Sequence, residues 1–114
     1  MVTRDLKALI DGLMQSLDVS KEVLAGALTV DARAIDRWRS GESFPQKDSR
    51  RRLDQLSQVK DHLYQTFSSA QAVHAWMNND SPYLGGLQPA EVLRAGRIDR
   101  IEAALSALDY GAFV

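Results

Sequence analysis

Two histidines, His62 and His74, are the only imidazoles in this 114-residue sequence, and cysteine is absent. Without a thiol there is no thiolate metal site, no disulfide scaffold and no thiol nucleophile. Neither histidine stands at a spacing that marks a metal site or a nucleophile–base pair, so each reads as a helix-face residue. The carboxylates scatter along amphipathic segments, and Gly85-Gly86 lacks the neighbours of a nucleotide-binding loop. The reading is a binding protein with no catalytic residues, no metal and no cofactor.

What remains is charge. Arg33, Asp36, Arg37 and Arg39 are followed by Lys47, Arg50, Arg51 and Arg52. An arginine near the start of a recognition helix reaches base edges, and a trailing basic cluster holds phosphates. Arg33 and Arg37 are therefore candidate readers of operator DNA, with the Lys47–Arg52 cluster on the backbone. Asp31 and Asp36 interrupt that field. The alternative is a set of solvated arginines on a helix pair used only for packing.

These side chains need helices to position them. Leu6, Leu9, Ile10, Leu13, Met14 and Leu17 repeat at helical spacing and predict a first helix ending near Leu17. Ser20 and Asp31 are natural caps for short helices over 21–28 and 32–40, and Gly41 is a natural stop. Leu24, Ala25, Leu28, Val30, Ile35 and Trp38 fall where a helix-turn-helix needs them, Ala25 being small enough to let two helices approach. The turn position that usually holds glycine is Thr29, and a left-handed backbone is disfavoured for a β-branched residue, which predicts a non-standard turn.

Pro45 closes a loop, and a long helix follows from Lys47 or Asp48 to about Phe67. Ser68 or Ser69 caps a fifth helix through Met77, after which Asn78 to Leu87 read as turn and loop. Pro89 opens a short helix closed by Gly96, and a last helix runs from about Arg97 to Asp109, before Gly111. No segment alternates as a strand does. The expected fold is all-α: a helix-turn-helix unit with its long connecting helix over residues 1–67, and a small helical unit over 68–114.

The composition, 45% hydrophobic and 25% charged, is that of a globular domain. The N-terminus has no long apolar run, so neither a signal peptide nor a membrane span is expected, and a cytoplasmic location is the default. The net charge is −1, yet residues 1–60 carry 11 Lys/Arg against 9 Asp/Glu and residues 61–114 carry 3 against 6. A mildly basic front and an acidic back fit two faces for two partners.

The back half carries Ala75-Trp76-Met77-Asn78, then Leu84-Gly85-Gly86-Leu87-Gln88-Pro89-Ala90-Glu91-Val92-Leu93, Gly96, and Ile101 to Val114. Over about residues 70–114 this resembles the toxin-binding domain of the Xre/MbcA/ParS antitoxins, and a helix-turn-helix ahead of a long helix matches the layout of that family. The resemblance implies an antitoxin that binds and blocks a cognate RES-domain toxin, an enzyme that consumes NAD, and that often represses its own operon. Gly85-Gly86 permits backbone shapes closed to other residues, so the loop is expected to present Tyr83, Leu84 and bare amides to a partner. The alternative is a tight connection between helices.

Together with the resemblance, the short apolar end makes Tyr110, Gly111, Ala112, Phe113 and Val114 a candidate plug for the NAD site of the toxin; alternatively Phe113 packs on its own core. Arg94, Arg97 and Arg100 either meet an acidic toxin rim or pair with Glu91, Asp99 and Glu102. Rival readings are a stand-alone Xre-type regulator whose back half dimerises, and an adaptor that never touches DNA. A homodimer, or a larger complex with toxin, is expected, because paired recognition helices reach successive major grooves.

Overall fold

The computed structural model describes residues 3–111, and side chains from Asp5 onward. The last three residues of the expected plug, Ala112, Phe113 and Val114, lie outside that range. Seven α-helices and no strand are present among the described residues.

Helix α1 (Thr3–Leu17) buries Leu6, Ile10, Leu13 and Leu17. It ends where Asp18 turns left-handed at φ 55° and the Val19 N–H donates back to Met14 O at 3.0 Å. α2 (Lys21–Leu28) starts at Ser20, whose hydroxyl accepts from Val23 N–H. α3 (Ala32–Ser40) starts at Asp31, which accepts from Arg33 N–H at 2.8 Å, and stops at Gly41 with φ 85°. The expected caps are thus the observed ones.

The turn between α2 and α3 resolves the conflict posed by Thr29. Thr29 does adopt φ 57°, ψ 42°, the left-handed region. Its own N–H and that of Val30 return to the last carbonyls of α2, with Val30 N to Ala25 O at 3.0 Å, and its hydroxyl donates to Leu28 O at 2.7 Å. Helix-closing bonds of this kind offset the steric cost of about 1–2 kcal/mol.

α4 (Lys47–Thr66) is 20 residues long, about 30 Å, and forms the spine. Its inward line is Leu53, Leu56, Val59 and Leu63. α5 (Ala70–Met77) is capped by Ser69, and Trp76 lies over Phe67 with ring centroids 5.8 Å apart. Pro82–Leu84 form one 3-10 turn where the sequence reads as loop. α6 (Pro89–Arg94) and α7 (Ile98–Gly111) follow, separated by Gly96 at φ 84°. α7 runs through Gly111 instead of stopping at Asp109.

One cluster of buried apolar side chains runs from Leu6 to Leu105 without a break between the front and back halves. The closest seam is α2 against α6, where a Cβ added to Gly26 would come 2.1 Å from Arg94 O. Beside it the half-buried Arg52 guanidinium donates to Ala27 O at 3.3 Å and Gly96 O at 3.2 Å, tying α2, α4 and the α6–α7 turn together. The molecule measures 49 × 24 × 22 Å.

Candidate functional site

The sequence nominates two surfaces, and α4 separates them. At its N-terminal end stands the basic group. Arg33 is 83% exposed and contacts only the cap carboxylate of its own helix, Asp31, at 3.4 Å. Asp36 is taken up by Lys21 at 3.1 Å, and Arg39 by Asp11 at 2.8 Å. Arg51 and Arg52 share Asp48, whose carboxyl is held below its ordinary range chiefly by the hydrogen bond from Arg51. Arg37, Lys47 and Arg50 are exposed and make no ion pair among the described residues. Arg37 lines a shallow depression with Trp38, Gln46 and Ser49, which brings α3 beside the start of α4. Internal pairing therefore claims Asp36, Arg39, Arg51 and Arg52 and leaves a smaller cationic strip of Arg37, Lys47 and Arg50, with Arg33 beside its cap carboxylate Asp31.

At the other end the 81–87 loop folds on itself. Ser81 N–H donates to Leu87 O at 3.0 Å, and Ser81 O accepts from Leu84 N–H at 3.0 Å and Gly86 N–H at 2.8 Å. Gly85 and Gly86 take φ 67° and 86°, values that let the chain close this ring without strain. The closure changes what the loop offers. Leu84 is turned into the core at 1% exposure and the Gly86 amide is spent internally, so the outward groups are Tyr83 and Leu87. Sequence reasoning missed Leu87; an apolar residue directly after a Gly-Gly turn was its only signal.

Tyr83 then meets the end of α7. An ideal Cβ on Gly111 would fall 2.7 Å from the Tyr83 hydroxyl oxygen, so glycine there lets the ring lie against the helix. Next to it Tyr110 is 77% exposed, the most exposed of the large apolar side chains described. The structure thus sets Tyr83 against Gly111, with Tyr110 the residue before it in α7. Arg97 is held by Asp99 at 3.0 Å, whereas Arg94 is exposed without an ion pair among the described residues.

The end of α7 is fastened to α4 by a cluster that the sequence conceals. His62 Nε2 contacts Asp109 Oδ2 at 2.7 Å, His62 Nδ1 contacts Glu102, and Thr66 donates to Asp109 at 3.0 Å. The spacing from Glu102 to Asp109 is two helical turns, which puts both carboxylates on one face of α7. The bond with Asp109, and then that with Glu102, raises the imidazole pKa above 6.5 against the opposing effect of burial. A raised pKa contributes stability that is present in full below pH 6.5 and is lost as pH rises through the folded-state value. The urea midpoint of the wild-type chain is therefore expected to exceed that of His62→Gln most at about pH 6, the gap narrowing toward alkaline pH. A gap that is flat with pH would exclude protonated His62 as the fastener.

Residues 62–111 match the family model described as the antitoxin Xre/MbcA/ParS C-terminal toxin-binding domain. The mycobacterial cidal antitoxin MbcA of Mycobacterium tuberculosis is 28% identical over 109 residues, 96% of each chain, and the Mycobacterium bovis MbcA matches to the same extent. The fold is similar, with a TM-score of 0.67 and 27% identity, to a chain in the crystal structure of the M. tuberculosis MbcT–MbcA toxin–antitoxin complex, covering 96% of this chain and 97% of that one. The resemblance carried by Ala75–Asn78 and Leu84–Leu93 holds: residues 62–111 are similar to the Xre/MbcA/ParS antitoxin toxin-binding domain.

Proposed function

We propose that this protein is the antitoxin of a type II toxin–antitoxin pair, that it binds and blocks a RES-domain toxin that degrades NAD, and that it represses its own operon as a DNA-bound homodimer. The observation that carries the reading is similarity along almost the whole chain to MbcA, an antitoxin known in complex with the toxin MbcT. The toxin surface is the end formed by Tyr83, Leu87, Tyr110 and Gly111, with the following tail, Ala112 to Val114, entering the NAD site. Exposed tyrosines on a rigid support suit such a role, because tyrosine buries large area at small cost in conformational entropy. Arg94, whose carbonyl meets Gly26 at the α2–α6 seam, lies at the opposite end of α7 from that surface.

For the DNA, α2 and α3 form the helix-turn-helix and α3 enters the major groove. Arg33 and Arg37 face the bases while Lys47 and Arg50 contact phosphates. The charges already bound within the chain, Asp36, Arg39 and Arg51, shape the surface without reading it. Binding carried by four cations falls steeply as salt rises.

Co-expression with the product of the adjacent gene tests the whole reading. Growth and cellular NAD are expected to be restored, with co-purification of the two proteins. Deleting Ala112 to Val114 is expected to abolish rescue and leave the helical spectrum intact. Full neutralisation by the truncated chain would refute the plug alone. An adjacent product that is harmless, beside salt-sensitive operator binding by this chain, would favour the stand-alone regulator.

A further inference from the structure

The last turn of α7 is held by bonds and not by burial. The buried side chains of α7, Ile98, Ile101, Ala104 and Leu105, all lie in its first eight residues. From Ser106 to Gly111 no residue is buried, and Leu108 is half-buried. A helix end with so little apolar cover frays unless something clasps it. The clasp is His62 on α4, which meets Asp109 at 2.7 Å and also Glu102, while Thr66 adds its bond to Asp109 at 3.0 Å.

The two carboxylates take opposite nitrogens of one ring. A neutral imidazole has a single N–H and can donate to one of them, whereas the imidazolium donates to both. Asp109 also sits in the last turn of a helix that has no basic residue there. A carboxylate facing the negative end of a helix is unfavourable without a cation beside it. The other charges around α4 are engaged elsewhere. Lys60 pairs with Asp61 on α4 itself, Asp11 of α1 is held by Lys7 and Arg39, Lys21 of α2 by Asp36, His74 of α5 by Asp18, and Asp99 of α7 by Arg97. Asp5 on α1, Glu22 on α2 and Arg100 on α7 do not pair with the ring, which leaves Asp109 and Glu102 to govern it.

We infer that protonated His62 is a positioning residue for the toxin: by bonding Asp109 and Glu102 at once it sets the course of the last turn of α7, and so the direction in which the following tail leaves. The inference rests on the toxin reading above and adds what aims that end and when it lets go. Loss of the proton releases one carboxylate and opens the last turn, which toxin binding then has to order again. Proton affinity is therefore higher in the complex than in the free chain. Binding is tightest below pH 6.5 and weakens as pH rises through the raised value of the folded chain.

Titration calorimetry of the full chain with purified toxin, at about pH 6 and about pH 8.5, tests this. The wild-type chain is expected to lose about tenfold in affinity between the two, the equivalent of one unit of proton affinity. His62→Gln is expected to be weak at both, and His62→Lys, a permanent cation with donors for both carboxylates, to stay tight at both. Groups on the toxin titrate in every chain alike, so the difference between chains at each pH carries the result. Amide exchange in the free chain gives a second reading without toxin: protection of Ser106 to Gly111 is expected to fall toward alkaline pH in the wild type and to persist in His62→Lys. Should His62→Gln fail to fold, these two chains decide. Parallel pH profiles for wild type and His62→Lys overturn the positioning role alone. A wild-type chain that binds the adjacent gene product at neither pH overturns the toxin reading as well.

Discussion

Gly26→Ala is expected to lower the melting temperature by about 10 °C, although alanine is the better helix former. Inside α2 the exchange gains about 1 kcal/mol of backbone preference. Against that, the new methyl would sit 2.1 Å from Arg94 O, 2.9 Å from its carbonyl carbon and 3.0 Å from its Cα. All three are backbone atoms at the end of α6, which cannot rotate away. Overpacking of this kind costs about 3 kcal/mol or more, so the steric effect wins by about 2 kcal/mol. Gly12→Ala provides the internal control. Gly12 lies within α1 with nothing within 4 Å of its Cβ position, and alanine there is expected to stabilise by about 0.5–1 kcal/mol. Thermal melts in which both variants shift the same way would show that propensity, not the α2–α6 approach, governs these glycines.

Tyr110→Ala is expected to reduce affinity for the cognate toxin by about 30-fold and leave the melting temperature nearly unchanged. The separation of the two effects follows from exposure. At 77% exposed, the ring gives the free chain little packing, and surface truncations of this kind stay within about 0.5 kcal/mol. In a complex the same ring is fully available for burial, and a tyrosine anchor is worth about 2 kcal/mol or more. Tyr83 is a poorer probe because its hydroxyl lies against Gly111 and its removal disturbs the end of α7. Titration calorimetry with purified toxin, alongside a melt, measures both quantities. Unaltered toxin affinity would remove Tyr110 from the interface.

The helices were legible because their ends are chemical. Ser20, Asp31, Ser69 and Gly41 each act through a bond or a backbone shape that is local to a few residues, and the sequence states it outright. Thr29 misled because a side-chain preference of a kilocalorie or two was weighed without the carbonyls waiting to be satisfied across the turn. Gly111 misled because glycine stops a helix only when its φ turns positive; here it serves to admit the Tyr83 ring.

The site was harder for a related reason. Exposure of Arg33, Arg37 and Tyr110 follows from helix periodicity, but the pairing of Asp36 with Lys21 and Arg39 with Asp11 joins separate helices and has no local sign. His62 and its two carboxylates lie 40 and 47 residues apart in sequence, so only the packing of α4 on α7 reveals them as one cluster. Leu84 looked outward because a Gly-Gly turn fixes the shape of a loop and not which of its side chains faces the core.

The unbroken core between α2 and α6 also bears on how such a chain is degraded. A two-domain protein with a soft joint offers a protease a place to cut while both halves stay folded. Here the joint between α4 and α5 is three residues long, and its Phe67 is held against Trp76. Cleavage then has to wait for opening of a structure in which α2, α4 and α6 let go together, so lifetime is governed by the stability of the whole fold. A single methyl at Gly26, on the buried α2–α6 seam, would shorten the life of both binding surfaces at once.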